Sequence, residues 1–238
     1  MYALPNVATI ALDLTNPSQI CDTCSRALEQ YDVDVLFNNA GYGIMGPLEK
    51  WLEDEIRTLF DTDVIGTMLV TQPFIPHFKK RRRGIILTTT SLAGFLALPR
   101  DGAYGAAKRA QQGMVQALYY ELKPFGMKMA AMIPGETKTN FQTPVDILDG
   151  YEVPAAKQKE YLLGGNTESP GPEEAAKVVW RAVNDGEDRV NYPTDSVCEK
   201  LYRQYNDMGY ENFKEYFYPR VFAAEQKKVS FELLIMNN

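Results

Sequence analysis

The stretch VDVLFNNAG, residues 33–41, decides the fold class. Its first part, Val33–Phe37, is short and almost wholly apolar, which is typical of a parallel strand buried on both faces. Small residues and a glycine follow at once, and these let the backbone approach a ligand closely. Parallel α/β sheets bind ligands at the carboxyl ends of their strands. The stretch therefore predicts a parallel sheet with a ligand site beside Asn38–Gly41.

Similar apolar runs alternate with helical patterns along the rest of the chain. Further strands are predicted at Val7–Leu12, Gly84–Thr89, Met127–Ile133 and Arg189–Tyr192. The helical patterns cover Pro17–Gln30, Leu52–Lys80, Tyr104–Lys123 and Pro172–Asn184, the second of them bent near Pro73 or ended by Pro76. Repeated β-α-β units predict an α/β fold with a doubly wound parallel sheet and right-handed crossovers.

The composition fits a single domain over residues 1–238. The chain has 25 Lys and Arg against 31 Asp and Glu, a net charge of −6, and 45% hydrophobic residues. This balance excludes a disordered or collagen-like chain, and the acidic charge argues against nucleic-acid binding. No apolar run reaches the ~18 residues of a membrane span. The 3 cysteines make no disulfide framework and the N-terminus lacks a signal-peptide pattern, so we expect a cytoplasmic protein.

Two segments stand apart from this alternation. Phe141–Gly171 is irregular, rich in Gly and Pro, and longer than an ordinary connection, so it is interpreted as a substrate loop or as a mobile surface loop. Residues 196–238 form an aromatic-rich C-terminal extension. Its aromatic side chains either cover the site or form the core side of C-terminal helices, and the second interpretation is favoured.

Tyr104 and Lys108 are candidates for acid–base chemistry. Their i, i+4 spacing places both on one helix face. A phenol has a pKa near ~10 and transfers protons poorly at neutral pH, but a neighbouring ammonium stabilises the phenolate and lowers that pKa. The pair can therefore exchange a proton with an alcohol or a carbonyl. Taken alone, the motif is equally compatible with two surface residues.

Two more strand ends carry polar or small residues. Ser91 follows the strand predicted at Gly84–Thr89, where its hydroxyl can hydrogen-bond a substrate oxygen and stabilise charge on it. The strand Met127–Ile133 is followed by Pro134, Gly135, Thr137 and Thr139. Because ligands of parallel α/β sheets bind at the carboxyl ends of the strands, we expect all these residues to face one crevice together with Asn38–Gly41.

Other conspicuous residues favour structural roles. Cys21 and Cys24 form a Cys-x-x-Cys motif inside an apparent amphipathic helix, and a zinc site needs more ligands than they offer, so no metal site is predicted. The only histidine, His77, lies near a helix end. The basic run Lys79–Arg83 fits a solvated turn with the charge that a helix C-terminus favours.

In these motifs the sequence resembles the short-chain dehydrogenase/reductase family, especially its retinol- and hydroxysteroid-dehydrogenase-like members. The matching pieces are Asn38-Asn39-Ala40-Gly41, Ser91, Tyr104-Gly-Ala-Ala-Lys108, and Pro134-Gly135 with Thr139. The resemblance extends from about Asn6 to about Pro193. It implies a Rossmann-type sheet, NAD(P)-dependent redox chemistry on an alcohol or carbonyl, and a homodimer or homotetramer.

The resemblance also implies a role for each matching residue. Tyr104 would be the acid–base residue, Lys108 would tune it and bind the nicotinamide ribose, and Ser91 would orient and polarise the carbonyl. The cofactor, NADP or NAD with NADP slightly favoured, would meet Asp13 at its adenine end and Thr139 at its nicotinamide end. The remaining implied cofactor contacts are Asn38, Asn39, Ala40, Gly41, Pro134, Gly135 and Thr137.

The sequence departs from the family pattern at Asp63. The family usually has an Asn there, which holds a water in a proton relay through the lysine. A carboxylate near Lys108 would stabilise the ammonium and disfavour the phenolate of Tyr104. We therefore include Asp63 among the catalytic residues and expect slowed rather than abolished catalysis.

The second departure is the lack of the family's glycine-rich turn, Thr-Gly-x-x-x-Gly-x-Gly, which would precede Asp13 by roughly forty residues. Without it and its strands, Val7–Leu12 lacks a neighbour and Val33–Phe37 has an open edge, so the sheet is expected to be incomplete. Three explanations remain. The chain is truncated, it is a natural short form that lost cofactor binding, or Val7–Leu12 pairs beside Val33–Phe37.

The sequence as a whole indicates an NAD(P)-dependent oxidoreductase that interconverts a secondary alcohol and a ketone on an apolar small molecule. Hydride would pass between the cofactor and the carbonyl carbon while Tyr104 transfers the proton. The alternative is a catalytically impaired homologue that acts as a binding or partner-dependent protein. Asp63 and the missing turn favour this alternative, whereas the intact Ser91, Tyr104 and Lys108 oppose it.

Overall fold

A parallel sheet of four strands forms the centre of the computed structural model, which describes residues 6–141, 147 and 150–222. In spatial and chain order the strands are β1 Val35–Asn38, β2 Gly84–Thr89, β3 Met127–Ile133 and β4 Asn191–Pro193. Each pairs in parallel with the next, with Leu36 opposite Ile86 and Ile86 opposite Met129. The α/β class and the parallel sheet predicted from the sequence are confirmed.

Helices connect and cover these strands. They are α1 Pro17–Gln30, α2 Glu53–Phe60, α3 Thr67–Arg81, α4 Gly102–Leu122, α5 Glu152–Leu163, α6 Pro172–Asn184 and α7 Ser196–Val221. The Asn16 side chain accepts the N–H of Gln19 at 3.1 Å, and Asp195 accepts the N–H of Cys198 at 2.8 Å. These caps satisfy N–H groups that the first turns of α1 and α7 leave unpaired.

The side chains of the central strands alternate between two helix layers. Ile86 and Met129 face a core shared with α1, α3, α4 and α7. Leu87 and Met132 belong to a second core, where Ala182 of α6 packs with them. Because β2 and β3 are buried on both faces, their sequences are nearly continuous apolar runs rather than alternating ones.

The strand predicted at Val7–Leu12 is wrong. In the part of the chain that the structure describes, this segment forms no strand and β1 pairs with β2 alone, so the segment does not extend the sheet. Val7 is 56% exposed and Ile10 is 38% exposed. A strand needs a neighbour to pair its N–H and C=O groups. No described strand lies beside Val7–Leu12, and an apolar pattern alone does not make this segment a strand.

The long helix predicted over Leu52–Lys80 is confirmed as one continuous helical stretch. A π-helical turn at Asp61–Gly66 joins its two parts, α2 and α3. Pro73 and Pro76 lie inside α3, and neither of them ends the helix. Phe74, which lies between them, is buried in the core. Tertiary packing thus outweighs the helix-breaking tendency of the two prolines, and the apolar spacing gives no signal for the π turn.

Helix α5 lies in the segment predicted to be irregular, Phe141–Gly171. Pro154 stands in its first turn, where proline is tolerated, and Gly and Pro residues around the helix mask its signal in the sequence. The helix packs on α7, with the ring centroids of Tyr161 and Phe217 4.9 Å apart. Packing against α7, which lies far along the chain, therefore stabilises the helix in this segment.

The extension predicted over 196–238 forms α7 as far as the structure describes it. Leu201, Phe213 and Phe217 are buried in the core, as the favoured interpretation of its aromatic residues predicts. The described residues leave out 142–146 and 148–149 of the segment Phe141–Gly171, and 223–238 of the C-terminal extension.

Every helix within residues 6–141, 147 and 150–222 is too short or too polar to span a lipid bilayer. The same residues contain no group of three or more His, Cys, Asp or Glu side chains that could hold a metal ion. Cys21 and Cys24 are free thiols on α1. His77 contacts the carbonyl oxygen of Val33 at 3.1 Å, and Arg81 of the basic run pairs with Asp34 at 2.7 Å, so both have structural partners.

The turn after α4 depends on glycine. Gly126 has a φ of +75°, and a Cβ there would lie 2.5 Å from the carbonyl oxygen of Arg82. We expect Gly126→Ala to lower the free energy of unfolding by about 1–3 kcal/mol. Gly113→Ala is the control, because Gly113 lies in α4 with nothing within 4 Å of its Cβ position, and we expect a gain of about 0.5–1 kcal/mol. Urea denaturation measures the free energy of unfolding of both variants. Equal changes in the two variants would contradict the prediction.

Candidate active site

A cavity of about 900 Å³ opens at the carboxyl ends of the strands. It brings together residues that the sequence places after β1, after β2, on α4 and after β3. These are Asn39, Gly41, Ser91, Tyr104, Lys108, Pro134, Gly135, Thr137 and Thr139. Parallel strands produce this convergence, since all of them end at the same edge of the sheet.

Ser91 is held by the loop that follows β2. Its backbone begins a short 3₁₀ turn, and its Oγ accepts the N–H of Ala93 at 3.1 Å. The N–H of Leu92 donates to the carbonyl oxygen of Pro134 at 2.9 Å, which ties this loop to the one after β3. The serine hydroxyl therefore has a fixed position on the cavity wall.

Tyr104 lies in the first turn of α4 and is 7% exposed. Close packing with a glycine holds its ring, since a Cβ on Gly43 would lie 3.4 Å from Tyr104 Cε2. Burial raises the pKa of the Tyr104 phenol above its ordinary value, and a side-chain hydrogen bond with Ser91 offsets part of this rise. The charge of Asp63 raises that pKa further. At neutral pH the phenol is therefore protonated.

Lys108 lies one helical turn further along α4 and is 3% exposed. Its Nζ lies 2.9 Å from Asp63 Oδ2, 3.0 Å from Gln111 Oε1 and 3.4 Å from the carbonyl oxygen of Thr89. The same Nζ is 5.6 Å from the centroid of the Tyr104 ring. The strongest interactions of the ammonium are thus with the carboxylate and the amide, on the side of the π-helical turn.

Asp63 is fully buried in the π-helical turn. Its Oδ1 accepts the N–H of Tyr42 at 3.1 Å, and a Cβ on Gly41 would lie 3.0 Å from both carboxylate oxygens. The loop after β1 therefore closes over the carboxylate. The proximity of Asp63 and Lys108 that the sequence predicts is present in the structure, while the effect on catalysis stays a prediction.

Gln111 is a residue that sequence reasoning missed. It is 2% exposed, its Oε1 accepts from Lys108, and its Nε2 donates to the carbonyl oxygen of Asp63. The signal available in the sequence is its spacing, because residues i and i+3 share one helix face. A buried amide three residues after the lysine has a hydrogen-bonding role that the Tyr-x-x-x-Lys motif does not include.

Three residues predicted to contact the cofactor are not among those that line the cavity. Asp13 is exposed, and its carboxylate accepts the N–H and hydroxyl of Thr15 within its own turn. Asn38 donates to Thr71 Oγ1 at 2.9 Å, which directs its amide toward α3. Ala40 is the third. Asp13 follows Val7–Leu12, which forms no strand in the described structure, and its contact with the adenine end of a cofactor stays a prediction.

The comparison with known proteins agrees with this geometry. The short chain dehydrogenase family pattern matches residues 3–147. An uncharacterized oxidoreductase of Schizosaccharomyces pombe is 34% identical over 201 residues, 82% of this chain and 85% of that protein. Human 17-beta-hydroxysteroid dehydrogenase type 1 is 28% identical over 229 residues, 92% of this chain and 70% of that protein.

The solved structures give the same result. The crystal structure of a short-chain dehydrogenase from Streptomyces avermitilis superimposes with a TM-score of 0.74 at 25% identity, over 88% of this chain and 78% of that one. The chain therefore belongs to the short-chain dehydrogenase/reductase family and has its Rossmann-type sheet. The resemblance to hydroxysteroid dehydrogenases predicted from the motifs is confirmed.

The charge of Asp63 makes a testable difference to Tyr104. We expect Asp63→Asn to raise turnover and to move the pH dependence of alcohol oxidation to lower pH. The substitution removes a charge that raises the pKa of Tyr104, so the phenolate forms at lower pH, while Asn keeps an oxygen that accepts the N–H of Tyr42. The measurement is kcat against pH.

Asp61→Asn is the matched control, because it makes the same charge change at an exposed position of the same turn. Its pH dependence is expected to follow that of the parent protein. Turnover that is unchanged or lower in Asp63→Asn would contradict the expected role of Asp63.

Proposed function

We propose that the protein is an NAD(P)-dependent oxidoreductase that interconverts a secondary alcohol and a ketone on an apolar small molecule. One observation carries the proposal: Ser91, Tyr104 and Lys108 converge on one cavity at the carboxyl edge of the parallel sheet. Family membership supports the same chemistry. A hydroxyl, a phenol and an ammonium in this arrangement can bind and protonate a carbonyl oxygen.

In this proposal each side chain acts on the substrate oxygen. The Ser91 hydroxyl donates a hydrogen bond to the carbonyl oxygen and opposes the charge that develops on it. The Tyr104 phenol donates its proton to that oxygen during reduction and takes it back during oxidation. Lys108 supplies the positive charge that stabilises the phenolate left behind. A bound nicotinamide cofactor supplies or accepts the hydride.

The residues present fit the nicotinamide half of such a cofactor. Gly41 lines the cavity, and a side chain there would press on the Asp63 carboxylate at 3.0 Å. The Asn39 side chain is held by Thr89, whose hydroxyl donates to it at 2.8 Å. We assign the nicotinamide half to Asn39, Gly41, Lys108, Pro134, Gly135, Thr137 and Thr139. NADP and NAD both remain candidates.

The walls of the cavity support an apolar substrate. They include Met45, Leu98, Phe141, Leu162 and Val179. Helix α5 contributes Ala155 and Ala156 to the same cavity, which supports the interpretation of 141–171 as a substrate loop within a single domain. A hydrophobic pocket with a few convergent polar groups is the usual form of a small-molecule site.

A catalytically impaired homologue that binds its ligand without turnover is the second candidate. The ion pair between Asp63 and Lys108 favours it, because it neutralises the charge that would stabilise the Tyr104 phenolate. In that case we expect cofactor binding with no detectable carbonyl reduction. A cytoplasmic location and assembly as a homodimer or homotetramer stay predictions.

A fluorescence titration with NADPH and NADH tests the proposal, followed by turnover of apolar ketones. We expect saturable binding of at least one cofactor. Tyr104→Phe is expected to lower kcat by about 10²–10⁴-fold with little change in cofactor affinity, because it removes the acid–base group. Tyr120→Phe is the control, since Tyr120 lies on the same helix and is 77% exposed. Saturable binding with no turnover would favour the second candidate. If neither cofactor binds, the proposal of an NAD(P)-dependent oxidoreductase is contradicted.

A further inference from the structure

Gln111 connects the Lys108 ammonium to the backbone of the π-helical turn. Its Oε1 accepts from Lys108 Nζ at 3.0 Å, and its Nε2 donates to the carbonyl oxygen of Asp63 and to Thr67 Oγ1. Reversing the amide would place its NH₂ against the ammonium and its oxygen against a carbonyl oxygen. The amide therefore has one stable orientation, and it fixes α4 to the π-helical turn.

The close polar contacts of the Lys108 ammonium are with groups other than Tyr104. An ammonium has three N–H donors. Gln111 Oε1 and the carbonyl oxygen of Thr89 each accept a hydrogen bond from Lys108 Nζ, and the Asp63 carboxylate lies against it as an ion pair at 2.9 Å. Removal of the Gln111 acceptor would leave one N–H of Lys108 to seek another partner.

The charges that face Tyr104 come from several elements. Asp63 comes from the π-helical turn, Asp101 from the residue before α4, and Glu136 from the loop after β3, and each raises the pKa of the phenol. Lys108 on the same helix is a cation whose Nζ lies 5.6 Å from the ring centroid. Its charge is matched at 2.9 Å by Asp63, so the balance around the ring disfavours the phenolate.

We propose that Gln111, together with Asp63, holds the Lys108 ammonium away from the phenol of Tyr104, so that the resting protein presents Tyr104 as the proton donor that carbonyl reduction needs. The inference rests on the proposed acid–base function of Tyr104. Gln111 is a positioning residue in this scheme, since it acts through Lys108 and is not itself a lining residue of the cavity.

The test replaces Gln111 by methionine, which keeps an unbranched side chain and removes both hydrogen-bonding groups. We expect the pH dependence of kcat/KM for alcohol oxidation to move to lower pH by about one unit, because a released N–H of Lys108 can stabilise the phenolate. At a fixed pH below the phenol pKa, kcat/KM then rises by up to about tenfold with the phenolate fraction. A purely structural role for Gln111 predicts a loss of activity instead.

Gln112→Met is the matched control. Gln112 is 3% exposed on the same helix, but its Nε2 donates to Asn191 Oδ1 at 2.7 Å, and within the described residues it makes no hydrogen bond with Lys108. We expect both variants to unfold at a lower temperature, and only Gln111→Met to shift the pH profile. Equal profiles in the two variants, or a loss of activity in Gln111→Met with an unshifted profile, would overturn the proposal.

A spectroscopic titration separates this proposal from the proposed function. The phenolate absorbance of Tyr104 is obtained without cofactor or substrate, by subtracting the ultraviolet pH titration of a Tyr104→Phe variant. The subtraction is made once with Gln111 intact and once with Gln111→Met. A lower pKa for Tyr104 in Gln111→Met supports the proposal even where no ketone is turned over. An unchanged pKa overturns it, even in an active enzyme.

Discussion

A buried ion pair between Asp63 and Lys108 organises the centre of this structure. The two side chains are 0% and 3% exposed, and their charged atoms are 2.9 Å apart. Taking two charges out of water costs several kcal/mol, which their attraction offsets only when their other hydrogen-bonding positions are also filled. Gln111 and Thr89 fill those of the ammonium. The pair thereby fixes α4 against the π-helical turn and sets the position of Tyr104, one turn before the lysine.

The same pair connects the stability of the fold to its chemistry. The Lys108 charge that stabilises the carboxylate of Asp63 is the one that a phenolate at Tyr104 would need. We therefore expect the interaction that holds α4 to the π-helical turn to disfavour the phenolate of Tyr104. Functional sites commonly hold charged groups in arrangements that shift pKa values rather than in those that give the greatest stability.

The sheet determines which residues share the site. Ser91, Pro134 and Gly135 follow different strands, and they meet because parallel strands end at one edge. This rule needs only correct strand positions, and the apolar runs of β1, β2 and β3 supply them. The rule does not apply to Asp13, because Val7–Leu12 forms no strand in the described structure.

The amino-acid sequence by itself determined the strands and the local spacing of Tyr104 and Lys108. Both follow from short-range rules, since buried parallel strands are apolar throughout and residues i and i+4 share a helix face. Only the tertiary structure decided the π-helical turn, the helical state of α5 and the bridge from Gln111 to Asp63. These depend on contacts between segments far apart in the chain, where packing and the pairing of buried polar groups outweigh local preference.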